Sequence, residues 1–435
     1  MPSTDTIFAP ASGFGRAAVA VIRISGPGTR FVLETIAGPL PPPRRLTLRT
    51  LRDPSGGGAL DQALVVFMPG PGSFTGEDGA ELQIHGGPAV RAGVLRALAA
   101  LPACRAAEPG EFTRRAFLNG RMDLAAVEGL ADLIDAQTEA QARQALRQLS
   151  GRLGAQVERW RDALIGALAD LEAALDFADE GDVPAGLEAR AGAAADALAR
   201  EIAAALRDGR RGERLREGFT VVLAGPPNAG KSSLLNAVAR RDVAIVSAVP
   251  GTTRDAIEVA CDLGGLPVTL VDTAGLRESD DAIEREGIAR TRARVEAADL
   301  VLWLDPLDAP TPPPEDRRPY LHLRTKADLG PMEGPGLAIS STTGTGLDIL
   351  LDEMQQRAAA ALGEGDALVT RERHRTALIR TASALERVAD ALALGRSELA
   401  AEDVRLALRA LGEITGRVDV EAVLDRIFAG FCIGK

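Results

Sequence analysis

Three textures succeed one another along the chain, each with its own spacing of apolar positions. From residue 1 to about 117, Gly and Pro punctuate short runs in which alternate residues share a character, as at Val19, Val21 and Arg23 or at Glu81, Gln83 and His85. Period-two alternation is the mark of a half-buried strand, so this stretch reads as a mixed α/β domain. From Leu118 the texture turns to Ala, Leu, Arg and Glu at helical spacing. Trp160, Leu164, Leu168, Leu171 and Leu175 share one helix face, and almost no Pro intervenes before Pro184, which predicts several long helices over 118–217. At Phe219 the run FTVVLAG opens an alternation of strand and helix signals that lasts to about Leu362, a second α/β block. From Gly363 to 435 helical periodicity returns, with LALRALGEITG and VDVEAVLDRIFAG as amphipathic segments. The simplest architecture is an N-terminal α/β domain (1–117) followed by an all-α domain (118–217 and 363–435) that carries an inserted α/β domain (218–362). The PPPR stretch near residue 42 and TPPPEDRRP near 311 read as surface loops.

Composition narrows the classes of function. At ~150 residues per domain, 435 residues suit about three domains. Fifty Lys and Arg against 61 Asp and Glu leave a net charge of −11, which argues against a protein that coats nucleic acid. Residues 1–117 alone are basic, with 12 Lys/Arg against 9 Asp/Glu, so any contact with nucleic acid is local. Aromatic residues at 3% give little material for a base-stacking platform. Cys104, Cys261 and Cys432 form no CxxC pair, and a reducing compartment is the default. The opening MPSTDTIFAP lacks a basic segment followed by an apolar one, and no run of ~18 apolar residues occurs. The expectation is a soluble, cytoplasmic protein with no membrane span. Of the 50 basic residues only Lys231, Lys326 and Lys435 are Lys, which marks them as positions where a slim point charge serves and a planar guanidinium does not.

Two of those lysines fall in motifs. Gly225 to Ser232 reads GPPNAGKS, between the apolar run and the helical SSLLNAV, and fits GxxxxGK[ST]. Backbone N–H groups of such a loop curl around phosphate oxygens at a helix N-terminus, Lys231 brings charge to the β- and γ-phosphates, and Ser232 offers an oxygen to magnesium. GTTRD (251–255), DTAG (272–275), TKAD (325–328) and ISS (339–341) follow in order, and this succession resembles the GTPase superfamily. The resemblance implies a nucleotide site made of Asn228, Ala229, Gly230, Lys231, Ser232 and Ser233. It adds Ser247, Ala248, Val249, Pro250, Gly251, Thr252 and Thr253, then Asp272, Thr273, Ala274 and Gly275, and finally Thr325, Lys326, Asp328 and Ser340. In it Thr253 joins Ser232 on magnesium and senses the γ-phosphate, Asp272 holds the metal through water, and the Gly275 N–H meets that phosphate. A carboxylate at Asp328 accepts from both the ring N–H and the exocyclic amine of guanine, a pattern adenine does not offer, so GTP is favoured over ATP. Lys326 lies over the base plane. Thr325 stands where Asn is usual, which is expected to lower guanine affinity without losing selectivity, and ISS replaces the commoner SA at a place where backbone contacts the base. Leu276 follows DTAG where many switch GTPases place a water-orienting Gln, so another group must aim the water. Glu284, in ESDDAIEREGI, is the candidate, although the residues alone favour a solvated helix-face charge there.

Three further stretches, RAAVAVIRISGP near the start, PGEFTRRAFLNGRMDLAAVEGLADLIDA at 109–136 and the terminal FCIGK, closely resemble the MnmE (TrmE) family of tRNA modification GTPases. The resemblance spans essentially the whole chain. It implies an N-terminal domain for tetrahydrofolate binding and dimerisation, and a helical domain with an inserted GTPase domain. Glu284 then matches the water-orienting glutamate. Asn228 matches a potassium ligand, with Ser247, Val249 and Thr252 completing the shell. Potassium there replaces an arginine finger, a device worth ~10³ to 10⁵ in rate, and couples hydrolysis to dimerisation of the GTPase domains. Arg23, Glu81, Arg121 and Lys435 match the positions that hold 5-formyltetrahydrofolate, with Arg121 in place of an expected Lys. The implied activity is GTP-driven addition of an aminomethyl or carboxymethylaminomethyl group to carbon 5 of a tRNA wobble uridine. It is shared with an FAD-dependent MnmG (GidA)-type partner, folate supplying the one-carbon unit and a homodimer joining the partner in a heterotetramer. FAD belongs to the partner, because no GxGxxG follows a first strand here. Cys432 matches a family cysteine but reads also as a small buried apolar residue, and His85 in QIHGGP reads as a turn residue rather than a functional one. The alternative, a GTP-dependent switch in ribosome assembly, lacks a KH-type GxxG module. A metalloenzyme is poorly supported, since three His and three Cys never cluster.

Overall fold

The computed structural model describes residues 5–13, 15–176, 186–245, 258–272, 298–313, 320–331, 334–363, 367–418, 424, 427, 428, 430, 431 and 434. The chain divides into two compact units, one of Met1–Ala131, Gln148–Glu172 and Ala401–Lys435, the other of Asp132–Arg147 and Ala173–Ala400. Among the described residues no helix is long and apolar enough to cross a membrane.

The first unit is built on six strands: β1 (Thr6–Pro10), β2 (Ala17–Ser25), β3 (Thr47–Arg52), β4 (Ala59–Met68), β5 (Gly79–Gly86) and β6 (Cys104–Ala106). They lie in the order β3-β4-β5-β2-β1-β6, antiparallel except for the parallel β1/β6 pair. Alternation does what the sequence expects of it. Ala20, Ile22 and Ile24 of β2 and Ala80, Leu82 and Ile84 of β5 point into a core with Val32, Leu33 and Ile36 of α1 (Thr29–Ala37) and Val94 and Leu98 of α2 (Pro88–Ala99). The odd-numbered residues of both strands therefore take the other face, and there Arg23 stands opposite Glu81. His85 is a strand residue, one position before the end of β5, its Nδ1 2.7 Å from Asp61 Oδ1, rather than a turn residue.

α3 (Glu111–Leu118) starts from Gly110, whose φ of +70° puts it in the left-handed region. A Cβ there would stand 2.9 Å from the Phe428 ring, so only glycine fits. Phe428, Leu424 and Phe431 pack with Leu124, Val127 and Leu130 of α4 (Leu124–Asp135) in a second apolar cluster. Arg115, its side chain 6% exposed, donates to Asp5 Oδ1 (2.8 Å), Glu111 Oε1 (3.0 Å) and Glu77 Oε2 (3.2 Å), and Ser25 Oγ donates to the same Glu77 oxygen at 2.9 Å. Arg105 reinforces Asp5 and Glu111 at 2.6 Å each.

In the second unit β7 (Phe219–Ala224), β8 (Glu258–Leu263), β9 (Leu266–Asp272), β10 (Leu300–Pro306), β11 (Tyr320–Thr325) and β12 (Leu337–Ile339) form a sheet in the order β12-β11-β10-β7-β9-β8. All neighbours are parallel except the β8/β9 hairpin. Strands of parallel sheets are buried on both faces, which is why β7 reads as a continuous apolar run. Among the described helices α5 (Glu139–Leu149), α6 (Arg152–Asp176) and α7 (Leu187–Glu217) precede β7 in the chain, and α8 (Lys231–Ala239) lies between β7 and β8. α9 (Leu347–Leu362), α10 (Glu372–Ala393) and α11 (Ser397–Thr415) follow β12, and α6 up to Glu172 and α11 from Ala401 belong to the first unit. Leu234, Leu235 and Val238 of α8 and Leu350 and Met354 of α9 close the sheet's core. Beside the sheet α7 and α10 run antiparallel, joined near one end by Arg375 Nε to Glu213 Oε1 at 3.0 Å. Near the other end Gly192 lies close enough to Leu392 that a Cβ would approach to 3.2 Å.

The Arg115 network makes a prediction for acid stability. Burial opposes ionisation of Asp5 and Glu111, but hydrogen bonds from Arg105 and the presence of Arg115 outweigh it and hold both carboxyls below their ordinary values of 3.8 and 4.5. A folded-state pKa below the unfolded one adds stability that is complete above the ordinary value and lost as pH falls through the folded value. Arg115→Ala should cost about 2–3 kcal/mol at pH 7. That is less than the ~3–5 of a wholly buried pair, because Asp5 is partly exposed. The variant should also flatten the acid-side loss in urea unfolding measured from pH 7 downward.

Candidate nucleotide site

β7 ends at Ala224 and the chain turns through Gly225, whose φ of +144° and approach to Leu304 leave a Cβ only 2.5 Å from that carbonyl oxygen. The loop passes Asn228, also left-handed at φ +61°, and Gly230 at +95° before α8 begins at Lys231. The amine of Lys231 donates to the Gly225 and Pro226 carbonyls at 2.8 and 2.9 Å, which holds its charge inside the curl of the loop. Ser232 Oγ, in the first turn of α8, donates to Asp272 Oδ2 at 2.7 Å. Asp272 closes β9 and is fully buried. A hydroxyl and a carboxylate this close, at the positive end of a helix and the C-terminal edge of parallel strands, form an oxygen-rich corner suited to magnesium and phosphate.

The TKAD segment is tied to the glycine-rich loop. Thr325 Oγ1, at the close of β11, donates to the Ala229 carbonyl at 2.7 Å, and both residues are buried. The hydroxyl that stands where Asn is usual thus anchors the TKAD segment to the loop. Lys326 adopts φ +65°, and its amine pairs with Asp308 at 2.5 Å, which lowers the Asp308 pKa. Ser340, fully buried after β12, donates its hydroxyl to Asp328 Oδ1 at 2.6 Å. The sequence reading gave Ser340 a backbone role only. Its side chain also fixes the Asp328 carboxylate, and the one sequence signal for that was a hydroxyl residue in the ISS segment. Ser233 follows Ser232 on α8 and is exposed.

Eleven expected residues, Ser247, Ala248, Val249, Pro250, Gly251, Thr252, Thr253, Thr273, Ala274, Gly275 and Glu284, lie outside the described residues, as do Lys435 and Cys432. Asn228 is exposed on the loop, and its amide oxygen suits a hard monovalent cation. Among the described residues no cluster of three or more His, Cys, Asp or Glu could hold a metal ion.

The first unit holds a second constellation. Arg23 Nη2 and Nε donate to Glu81 Oε1 at 3.2 and 3.3 Å, and the guanidinium lies 5.3 Å from the centre of the Phe74 ring and 5.8 Å from that of Phe112. Arg121 is exposed, its methylenes against Gly76. A half-buried carboxylate beside aromatic faces, with a guanidinium nearby, has the chemistry for a heterocycle with an N–H edge and an anionic tail, as a reduced folate has.

A glycine-rich loop of the GxxxxGK[ST] form between a central parallel strand and a helix, joined through Thr325 to the Asp-bearing TKAD segment, places the protein among the P-loop GTPases. Comparison with known proteins carries this further. The family model described as GTP-binding protein TrmE N-terminus matches residues 6–121, and that of the MnmE helical domain matches residues 124–432. The tRNA modification GTPase MnmE of Methylorubrum populi is 65% identical over 99% of this chain and 98% of its own length. The MnmE proteins of Methylobacterium sp. (strain 4-46) and Beijerinckia indica are 64% and 54% identical, each over 99% of this chain and over 100% and 96% of their own. The chain belongs to the MnmE (TrmE) family of tRNA modification GTPases.

The Thr325 link is testable. Thr325→Val keeps the shape but leaves the buried Ala229 carbonyl without this donor, a loss of about 1–3 kcal/mol. Calorimetric titration with GDP should show several-fold weaker binding, with Thr325→Ser near wild type. Undiminished affinity in the Val variant would mean that the bond does not organise the loop.

Proposed function

We propose that this GTPase hydrolyses GTP in support of tRNA wobble-uridine modification. With an FAD-dependent MnmG-type partner, it installs an aminomethyl or carboxymethylaminomethyl group on carbon 5. The observation that carries the reading is the pairing of Ser232 with buried Asp272 at the mouth of the loop, together with Asp328 held by Ser340. In this reading Lys231 and the loop N–H groups from Asn228 to Ser233 bind the phosphates. Asp328, Thr325, Lys326 and Ser340 select guanine. Thr253 and Gly275 sense the γ-phosphate, Ala248, Pro250, Gly251, Thr273 and Ala274 complete the nucleotide contacts, and Glu284 orients the attacking water. Ser232 and Thr253 would hold magnesium, and Asn228, Ser247, Val249 and Thr252 potassium. Bound there, the two ions would supply positive charge against the phosphate oxygens, the part an arginine finger plays elsewhere.

The aromatic-flanked Arg23–Glu81 pair supports a folate site, with Arg121 and Lys435 meeting the carboxylate tail. Only one Glu81 oxygen takes the Arg23 bonds, so the other suits the N–H edge of a pterin. Folate, when bound, would supply the one-carbon unit. We place the domain limits at 1–117, 118–217 with 363–435, and 218–362, and the working form as a cytoplasmic homodimer that joins its partner in a heterotetramer.

Two measurements check this. GTP turnover at fixed ionic strength should be at least about tenfold faster in potassium than in sodium, a part of the ~10³ or more that an arginine finger contributes. Equal rates would remove the role given to Asn228 and its companions. Mass analysis of tRNA from cells lacking the protein should show an unmodified wobble uridine that returns on add-back of the chain. Normal tRNA in those cells would overturn the reading.

A further inference from the structure

Charge is unevenly shared along the chain. Residues 1–117 hold 12 Lys/Arg against 9 Asp/Glu, while the remainder holds 38 against 52. A polyanion is repelled by most of this protein and has one region in which to land. Within that region four of the eight arginines outside the 35–52 stretch pair with carboxylates. Arg23 is paired with Glu81, Arg30 with Asp78, Arg105 with Asp5 and Glu111, and Arg115 with three carboxylates.

The stretch from Thr35 to Arg52 is different. It contains Arg44, Arg45, Arg49 and Arg52 and no acidic residue. Among the described residues none of the four has a carboxylate partner. Arg44, Arg49 and Arg52 each give one donor to a backbone carbonyl, of Gly72, Pro39 and Gly57. A guanidinium has five donors in a fork suited to phosphate oxygens, so most of that capacity is uncommitted. All four sit on or just before β3, the outermost strand of the sheet. Charges on an edge also deter strand pairing. An edge guarded only for that purpose would not expose Leu46 and Leu48, which are 53% and 63% accessible between the arginines. Apolar side chains among phosphate-gripping arginines suit the splayed bases and riboses of a single-stranded RNA loop.

We propose that the β3 edge, from Arg44 to Arg52, is the surface on which this protein docks tRNA. The arginines grip backbone phosphates and the two leucines lie under unpaired nucleotides. The inference rests on the reading of tRNA as the substrate.

The test is fluorescence anisotropy of the full chain with an unmodified tRNA transcript over about 50–200 mM salt. Arg45→Glu with Arg52→Glu should weaken binding by roughly tenfold or more and flatten the log–log salt slope by about 1.4–1.8, at ~0.7–0.9 per lost phosphate contact. The paired Arg→Lys variant should stay close to wild type, and GTP turnover without tRNA should be the same in all three. Affinity unchanged by the charge reversal overturns the proposal. So does a change in sedimentation without a change in tRNA affinity, which would make this edge an interface between copies of the chain. Failure here leaves the proposed function standing, because that reading falls only if wobble modification is normal in cells lacking the protein.

Discussion

A buried carboxylate governs the nucleotide half of this molecule. Asp272 has no solvent exposure, and an uncompensated charge in such a place is costly. Its compensation comes from where β9 ends, beside the first turn of α8, at the positive end of that helix and within reach of the Ser232 hydroxyl. That placement requires β7 and β9 to be parallel neighbours, so that the loop after one strand faces the tip of the other. It also requires a loop tight enough to pass the Leu304 carbonyl, a passage only Gly225 allows. Hydroxyl side chains then carry the constraint outward. Thr325 joins the loop to the end of β11, and Ser340 joins the Asp328 carboxylate to the end of β12. Three short bonds from Ser232, Thr325 and Ser340 make one rigid edge of four strand ends.

The first unit solves a similar problem with arginine. Register alone sets Arg23 across from Glu81 on the face turned away from α1 and α2. What shapes the surroundings is the 73–77 segment, held by Ser25, Arg115 and Asn119 through Thr75 and Glu77. That hold brings Phe74 over the Arg23 guanidinium, and Phe112 of α3 lies beside the same group. The aromatic residues are few in this sequence, and two of them are spent on one cation.

Much of this was legible in the residues. The alternation at Val19–Arg23 and Glu81–His85 gave both strands and the face each side chain takes, because a period of two leaves no choice once one face is buried. The apolar run before GPPNAGKS gave the strand, and the loop gave the helix start. Partnerships across the chain were not legible. Nothing in the local pattern tells that Thr325 meets Ala229 or that Ser340 meets Asp328, since each bond depends on how two distant strand ends are juxtaposed. His85 misled because Gly86 and Gly87 follow it. The pairing with β2 carries the strand to Gly86, and Asp61 binds both the backbone N–H and the ring of His85.

The apolar cluster behind α3 and α4 has a bearing on how the chain is made. Leu424, Phe428 and Phe431 complete packing that begins at Leu124 and Val127, about 300 residues earlier in synthesis. At about 5–20 residues per second a ribosome needs roughly 15–60 s to cover that distance. Throughout that interval the nascent segment must carry an uncovered oily stripe while the entire nucleotide sheet emerges and folds. The first unit therefore cannot complete this packing until well after the nucleotide sheet has been translated.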